Sequence, residues 1–144
     1  MSATNSMENS ILLLVFNNTD FATIGDAGGL QNSATAGSLY VSLHTGDPGE
    51  AGAQNTNESA YTNYARVAVA RSGAGWTVSG NAVSNTAAVT FPACGVTPST
   101  ITHFGIGTEA SGAGVLLFKG TCTLSVSAGI TPEFAIGDLD VTCD

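Results

Sequence analysis

The chain has 144 residues, a net charge of −8 and only three cations, Arg66, Arg71 and Lys119. Three positive side chains are too few to neutralise a phosphate backbone or hold an anionic bilayer surface, which argues against nucleic-acid binding and membrane-surface binding. Hydrophobic content of 43% is enough for a folded core, yet charged residues reach only 10%, against about 25% in typical soluble domains. Ala, Gly, Thr and Ser together make up 70 of the 144 residues. Small uncharged side chains suit tight turns, close strand packing and surfaces that neighbouring subunits cover.

In chain order, Met7, Ile11, Leu14 and Val15 fall at i, i+4, i+7 and i+8, which predicts an amphipathic helix over 5–16. Thr4 or Ser6 caps its start, Glu8 favours the positive end of its dipole, and the polar run 17–20 ends it. Ile11 and Leu14 then cover the chain's own core or dock on a partner subunit. The longest apolar run, 11–16, is too short for a bilayer span or for the core of a signal peptide, so a route without secretion is expected. Residues 21–38 are rich in glycine and lack periodicity, which reads as an extended arm or an irregular connection. The first expected division is therefore a helix-and-arm segment over 1–38, followed by a β-domain over 39–144.

Leu39, Val41 and Leu43 alternate with Tyr40, Ser42 and His44, the period of a strand with one buried face. Thr45-Gly46-Asp47-Pro48-Gly49-Glu50 stops it, since Pro48 has no N–H to donate and Asp47 can cap a turn. Further strands are expected over 64–71, 76–78, 82–91, 100–107, 115–126, 133–136 and 139–143. Eight short strands at regular intervals with no second helix predict a mainly β fold, an antiparallel sandwich or barrel.

No residue pattern carries catalysis. There is no Gly-x-Ser-x-Gly elbow, Gly105-x-Gly107 lacks a third glycine and a following helix, and Asp138 with Asp140 reads as solvated turn charge. His44 and His103 are the only imidazoles, and His103 reads as a strand-pairing or interface residue. His44, Asp47 and Glu50 offer too few carboxylates for a calcium loop, so a solvated turn capped by Asp47 is the simpler reading. No catalytic, cofactor-binding or metal-binding residue is assigned. Cys94, Cys122 and Cys143 are odd in number and without CxxC spacing, which reads as free thiols; a Cys122–Cys143 bridge is possible but not demanded. Arg66 and Arg71, five apart on one expected strand, face opposite sides. One of these forks either pins the Asp47–Glu50 turn to the sandwich or bonds an acidic partner subunit.

The run from Leu39 to Glu50, LYVSLHTGDPGE, answered by Tyr64-Ala65-Arg66, resembles a family of small tailed-bacteriophage virion proteins. These are described as head-decoration (cement) or tail-fibre-like proteins, with an N-terminal helix, this strand and turn, a "YAR" segment and a β-rich remainder. The resemblance covers nearly the whole chain and favours Arg66 for the structural task. It implies a jelly-roll-like β-sandwich and a non-enzymatic building block. The first role it implies is a capsid decoration protein on the outer capsid surface, a homodimer or homotrimer that binds the assembled major capsid protein lattice. The alternative it implies is a tail or neck fibre component involved in attachment.

Overall fold

The computed structural model describes residues 2–22, 24–25 and 28–143. Its elements are α1 (Asn5–Asn17), β1 (Ser38–His44), β2 (Val67–Ala70), β3 (Trp76–Ser79), β4 (Ala82–Asn85), β5 (Val89–Thr90), β6 (Ser99–Gly107), β7 (Leu116–Val126), β8 (Glu133–Phe134) and β9 (Asp140–Thr142). The protein is mainly β, with antiparallel sheets and one helix near its N-terminus. The chain divides into two compact units: Met1–Ser38 with Ala70–Ala88 and Ala135–Asp144, and Leu39–Val69 with Val89–Phe134. The segment 1–38 is thus one piece of a larger unit, and the residues expected as a single domain over 39–144 contribute to both. Of the expected arm over 21–38, residues 23, 26 and 27 lie outside the described residues.

In the first unit, α1 begins after Thr4, whose extended backbone offers its carbonyl to the Glu8 N–H (3.0 Å) but whose side chain makes no capping bond. It ends at Asn18 in the left-handed conformation (φ 53°), and the Asn18 and Thr19 N–H groups both turn back onto the Leu13 carbonyl. The face it buries is Glu8, Leu12 and Phe16, not the Met7, Ile11, Leu14 and Val15 stripe. This corrects the sequence expectation. Six consecutive apolar residues, 11–16, leave the helix apolar nearly all round, so the partner chooses the face, not the periodicity. That partner includes Trp76, fully buried, whose ring meets Phe16 edge-on at 4.9 Å.

β3, β4 and β9 form an antiparallel sheet in that order, with Trp76 opposite Asn85 and Val83 opposite Val141. Gly80, with φ +62°, and Asn81 make the two-residue β3–β4 turn, a backbone form that glycine adopts without penalty. The expected strand over 82–91 is broken here, because Asn85 diverts the chain. The Asn85 side chain donates to the carbonyls of Ala87 and Ala135 (both 2.8 Å) and accepts from the Leu139 N–H (2.9 Å). It is 1% exposed, a buried amide with its hydrogen bonds made.

In the second unit the strand order is β2-β1-β6-β7, and β5 pairs separately with β8. β1 lies between two neighbours, with Val41 opposite Ile106 and Leu43 opposite Phe104. Val41, Leu43, Ile101, Phe104 and Ile106 are buried, and a line of ring contacts runs Tyr61, Tyr64, Phe91, Phe134, Phe104 at centroid separations of 5.3, 6.4, 6.1 and 5.7 Å. The expected one-sided strand is corrected too: Ser42 and His44 are as fully buried as Val41 and Leu43. The chain after β1 folds back over that face, and buried Gln54 donates to the Tyr40 carbonyl (2.9 Å). Gly105 and Gly107 make room for it. A Cβ at Gly105 would fall 2.7 Å from His44 Nε2, and one at Gly107 2.4 Å from the Gln54 amide carbon.

The strand expected over 64–71 is only β2. Tyr64 N–H bonds the Tyr61 carbonyl (2.9 Å), and Asn63 has φ 77°, so the chain is still turning at Tyr64. Arg66 and Arg71 therefore flank the strand and do not alternate along it. Among the described residues no helix is long and apolar enough to cross a membrane.

Candidate functional site

In the second unit, an open groove of about 470 Å³ runs beside the 58–66 segment, with Ser111 and Gly112 on its other side. Its floor is an ionic clamp. Arg66 follows the turn at 61–64, which drives its side chain inward until it is 2% exposed. Its Nε donates to Glu58 Oε1 and its Nη2 to Glu58 Oε2, both at 2.7 Å, a bidentate fork on one carboxylate. Nη1 donates to the Glu109 carbonyl (2.9 Å) and Nη2 also to the Gly112 carbonyl (2.7 Å), so the same guanidinium holds the 109–112 turn. The Tyr64 hydroxyl donates to Glu58 Oε1 (2.8 Å) and accepts from the Leu43 N–H (3.0 Å).

These bonds set the electrostatics. Hydrogen bonding to Glu58 raises the Arg66 pKa further above its already high value. Burial pushes the Tyr64 hydroxyl far above the ordinary tyrosine range and the Tyr61 hydroxyl up to about 12. Both phenols stay protonated and serve as hydrogen-bond donors, Tyr61 to the Pro92 carbonyl (2.8 Å).

The remaining sequence candidates lie elsewhere. Arg66 does not pin the Asp47–Glu50 turn. That turn pairs with Lys119 on β7, whose Nζ lies 3.2 Å from Asp47 Oδ1 and 3.0 Å from Glu50 Oε1. The lone carboxylate between positions 50 and 109, Glu58, takes Arg66 instead. Asp47 Oδ1 also accepts the Gly49 N–H (2.8 Å), and that bond is the first cause of its lowered pKa. Arg71, in the first unit, donates to the carbonyls of Val15 (2.7 Å), Leu14 (2.8 Å) and Ala36 (3.2 Å). It places a cation at the negative end of α1 and ties the helix to the 33–37 segment. Leu14 and Ile11 are half-buried.

His44 is not brought to Asp47 and Glu50. Its ring is fully buried, with Nδ1 2.8 Å from the Thr56 carbonyl and Nε2 2.8 Å from Ser42 Oγ. A carbonyl only accepts, so Nδ1–H donates to it, and Nε2 receives the Ser42 hydroxyl. Burial lowers the pKa of His44 from its ordinary value of 6.5. The fold therefore refuses a proton that the unfolded chain accepts, and stability falls as pH drops through the range below 6.5. Thermal unfolding followed from pH 7.5 to 5.5 will show the midpoint declining, with the decline flattened in His44→Gln; an unchanged slope in that variant would remove His44 as its source.

Glu58 and Gln54 escaped the sequence reading. Buried Gln54 couples β1 to the 109–114 turn: its side-chain oxygen accepts the Glu109 N–H (3.2 Å) and its backbone N–H donates to the Ala113 carbonyl (2.8 Å). One signal pointed to Glu58: a chain with three cations that buries an arginine needs a carboxylate within reach of it. Among the described residues, no three His, Cys, Asp or Glu side chains converge to hold a metal ion. Cys94, Cys122 and Cys143 are free, and burial pushes the Cys122 thiol up to about 11.

Arg66, Glu58 and the Tyr64 hydroxyl are thus engaged with one another, with the 109–112 turn and with β1. The chain matches, over residues 2–142, a family model of phage fibre proteins, and it is a bacteriophage virion structural protein of the fibre type. The family to which it belongs is described as podophage GP4 fiber I protein gp80. A comparison with curated proteins found no match.

Proposed function

We propose that this protein is a fibre subunit at the tail or neck of the virion, where it contributes to attachment and performs no catalysis. The observation that carries this reading is the match to a fibre family along almost the entire chain. The side-chain chemistry agrees with it. His44 is sealed in the core and His103 Nδ1 is engaged with Thr102 Oγ1 (2.9 Å), so neither imidazole is arranged as a base beside the groove. The partners on this reading are other virion proteins and further copies of the chain.

Capsid decoration, in which the protein sits on the outer surface of the head and reinforces the major capsid protein lattice, is the competing role. The high content of small side chains and the low share of charged residues favour it, because such compositions suit repeated symmetric contacts. Copy number separates the two. Quantitative mass spectrometry of purified particles should give a few dozen copies or fewer per virion, with immunogold label at the tail or neck. Hundreds of copies spread over the head, and heads that lose heat resistance when the gene is deleted, would replace the fibre reading by the decoration reading.

A further inference from the structure

The groove beside the 58–66 segment keeps polar groups that the clamp does not use, and its volume of about 470 Å³ is that of a small-ligand site. A carboxylate offers about four acceptor positions. Glu58 fills three of them: Arg66 Nε and the Tyr64 hydroxyl bond Oε1, and Arg66 Nη2 bonds Oε2. One position on Oε2 is left, and Glu58 lines the groove with its side chain 16% exposed. The Asn63 amide, also in the lining, is exposed and makes a single long contact among the described residues, from Nδ2 to the Ala93 carbonyl (3.5 Å). Its oxygen and one N–H are therefore open. The Ser111 hydroxyl on the other side is exposed and bonds no partner among the described residues. Tyr64 lines the same groove half-buried, its ring fixed by a stacked contact with Phe91 (6.4 Å) and an edge contact with Tyr61 (5.3 Å). Glu58 and Arg66 are the charged residues of the lining, and they cancel.

We propose that this groove binds a short neutral saccharide and does not cleave it. The proposal rests on the attachment role above and names the class of ligand. Sugar hydroxyls donate and accept at once, which matches an acceptor on Glu58, a donor and an acceptor on Asn63 and the hydroxyl of Ser111. An aromatic lining suits the C–H faces of a sugar ring. An anionic ligand would meet Glu58 while the guanidinium of the lining is 2% exposed, in a chain of net charge −8. An amine would compete with Arg66 for a carboxylate that already holds a bidentate fork. Hydrolysis of a glycosidic bond takes two carboxyl groups flanking it, and Glu58 is the lone carboxylate of the lining. The site is also set in advance. Arg66 fastens Glu58 on one side and the Glu109 and Gly112 carbonyls on the other, so a ligand entering between them costs little ordering entropy.

The test titrates the isotope-labelled full chain with maltotriose, mannotriose, rhamnotriose and chitotriose, and reads backbone amide shifts by heteronuclear NMR. At least one sugar should give saturable shifts centred on 58–66 and 110–112 and should be recovered intact. Ala65→Trp, at an exposed lining position outside the clamp, should weaken that binding by about tenfold or more. Asn63→Gly accepts the φ of 77° and removes only the amide, and should weaken it several-fold. Thr123→Trp, exposed on β7 and outside the lining, should bind like wild type. All three should keep the wild-type melting temperature; if Ala65→Trp does not, Asn63→Gly decides. Four sugars without a saturable shift, shifts centred elsewhere, or affinity unchanged in Asn63→Gly would overturn the proposal. So would release of smaller sugars, or propylamine moving the same amides where no sugar does, which would assign the groove to a cationic side chain of a partner. Immunogold labelling of particles is read separately. Label at the tail or neck with no sugar binding would overturn this proposal and leave the fibre reading intact, and label absent from both places would overturn the attachment role beneath it.

Discussion

Replacing Arg66 with alanine will destabilise the protein by about 3–5 kcal/mol, because it strips a mostly buried carboxylate of its counter-ion. Glu58 is 16% exposed at its side chain and keeps only the Tyr64 hydroxyl as a donor, while the Glu109 and Gly112 carbonyls lose theirs. Arg66→Lys will recover only part of the loss, since a point-like ammonium cannot reproduce the fork and reach both carbonyls as well. Removing both charges, as in Arg66→Met/Glu58→Met, will cost less than Arg66→Ala alone. Much of the single-variant penalty is the stranded charge and not the worth of the pair. Denaturant unfolding of the three variants checks the order. A loss below about 1 kcal/mol for Arg66→Ala would place the clamp among ion pairs of surface strength. The 109–114 turn should also become the first site of limited proteolysis in Arg66→Ala, since two of the bonds that hold it end on this side chain.

Truncating Trp76 to alanine will cost about 3–5 kcal/mol, the range for a large buried aromatic whose site cannot fully collapse. Trp76 is fully buried, begins β3 and supports Phe16 of α1, so the helix loses the ring that selects its buried face. Trp76→Phe will be far milder. It keeps most of the packing and removes an indole N–H that has no acceptor among the described residues, a buried donor that costs about 1–3 kcal/mol where it stands. The sequence contains one tryptophan, so intrinsic fluorescence reads this site alone. Native emission should be blue-shifted and resistant to acrylamide. Solvent-like emission from the native protein, or a loss below about 1 kcal/mol for Trp76→Ala, would remove Trp76 from the core.

The elements most legible in the sequence were those whose signal is local. The helix over 5–16 is within a residue of α1, because a polar run with left-handed-tolerant asparagines ends it wherever the rest of the chain goes. β1 and β6 were likewise readable from alternation and from the glycine-proline punctuation that follows β1. Errors arose where a side chain bonds across a long interval of sequence. Asn85 breaks the expected 82–91 strand by reaching Ala135 and Leu139, about fifty positions away, and no window around Asn85 contains that information. The scarcity of positive charge marks Arg66 for a structural task, but its partner is Glu58 and not the Asp47–Glu50 turn. The pairing depends on a chain reversal at 61–64 that turns its fork toward Glu58 and away from the Asp47–Glu50 turn.

The amino-acid order alone therefore determined the β-rich class, the helix near the N-terminus, the LYVSLHTGDPGE and Tyr64-Ala65-Arg66 signature, and a net charge of −8 with three cations. All of these depend on composition or on neighbours within a few residues. Only the tertiary structure decided which face of α1 is buried, that both faces of β1 are covered, how the chain interleaves into two units, and that Val96 and Ile130 are exposed on loops hydrogen-bonded to each other. These follow from contacts between segments tens of residues apart, and such contacts are selected by packing and hydrogen-bond satisfaction across the fold, where local propensity has no say.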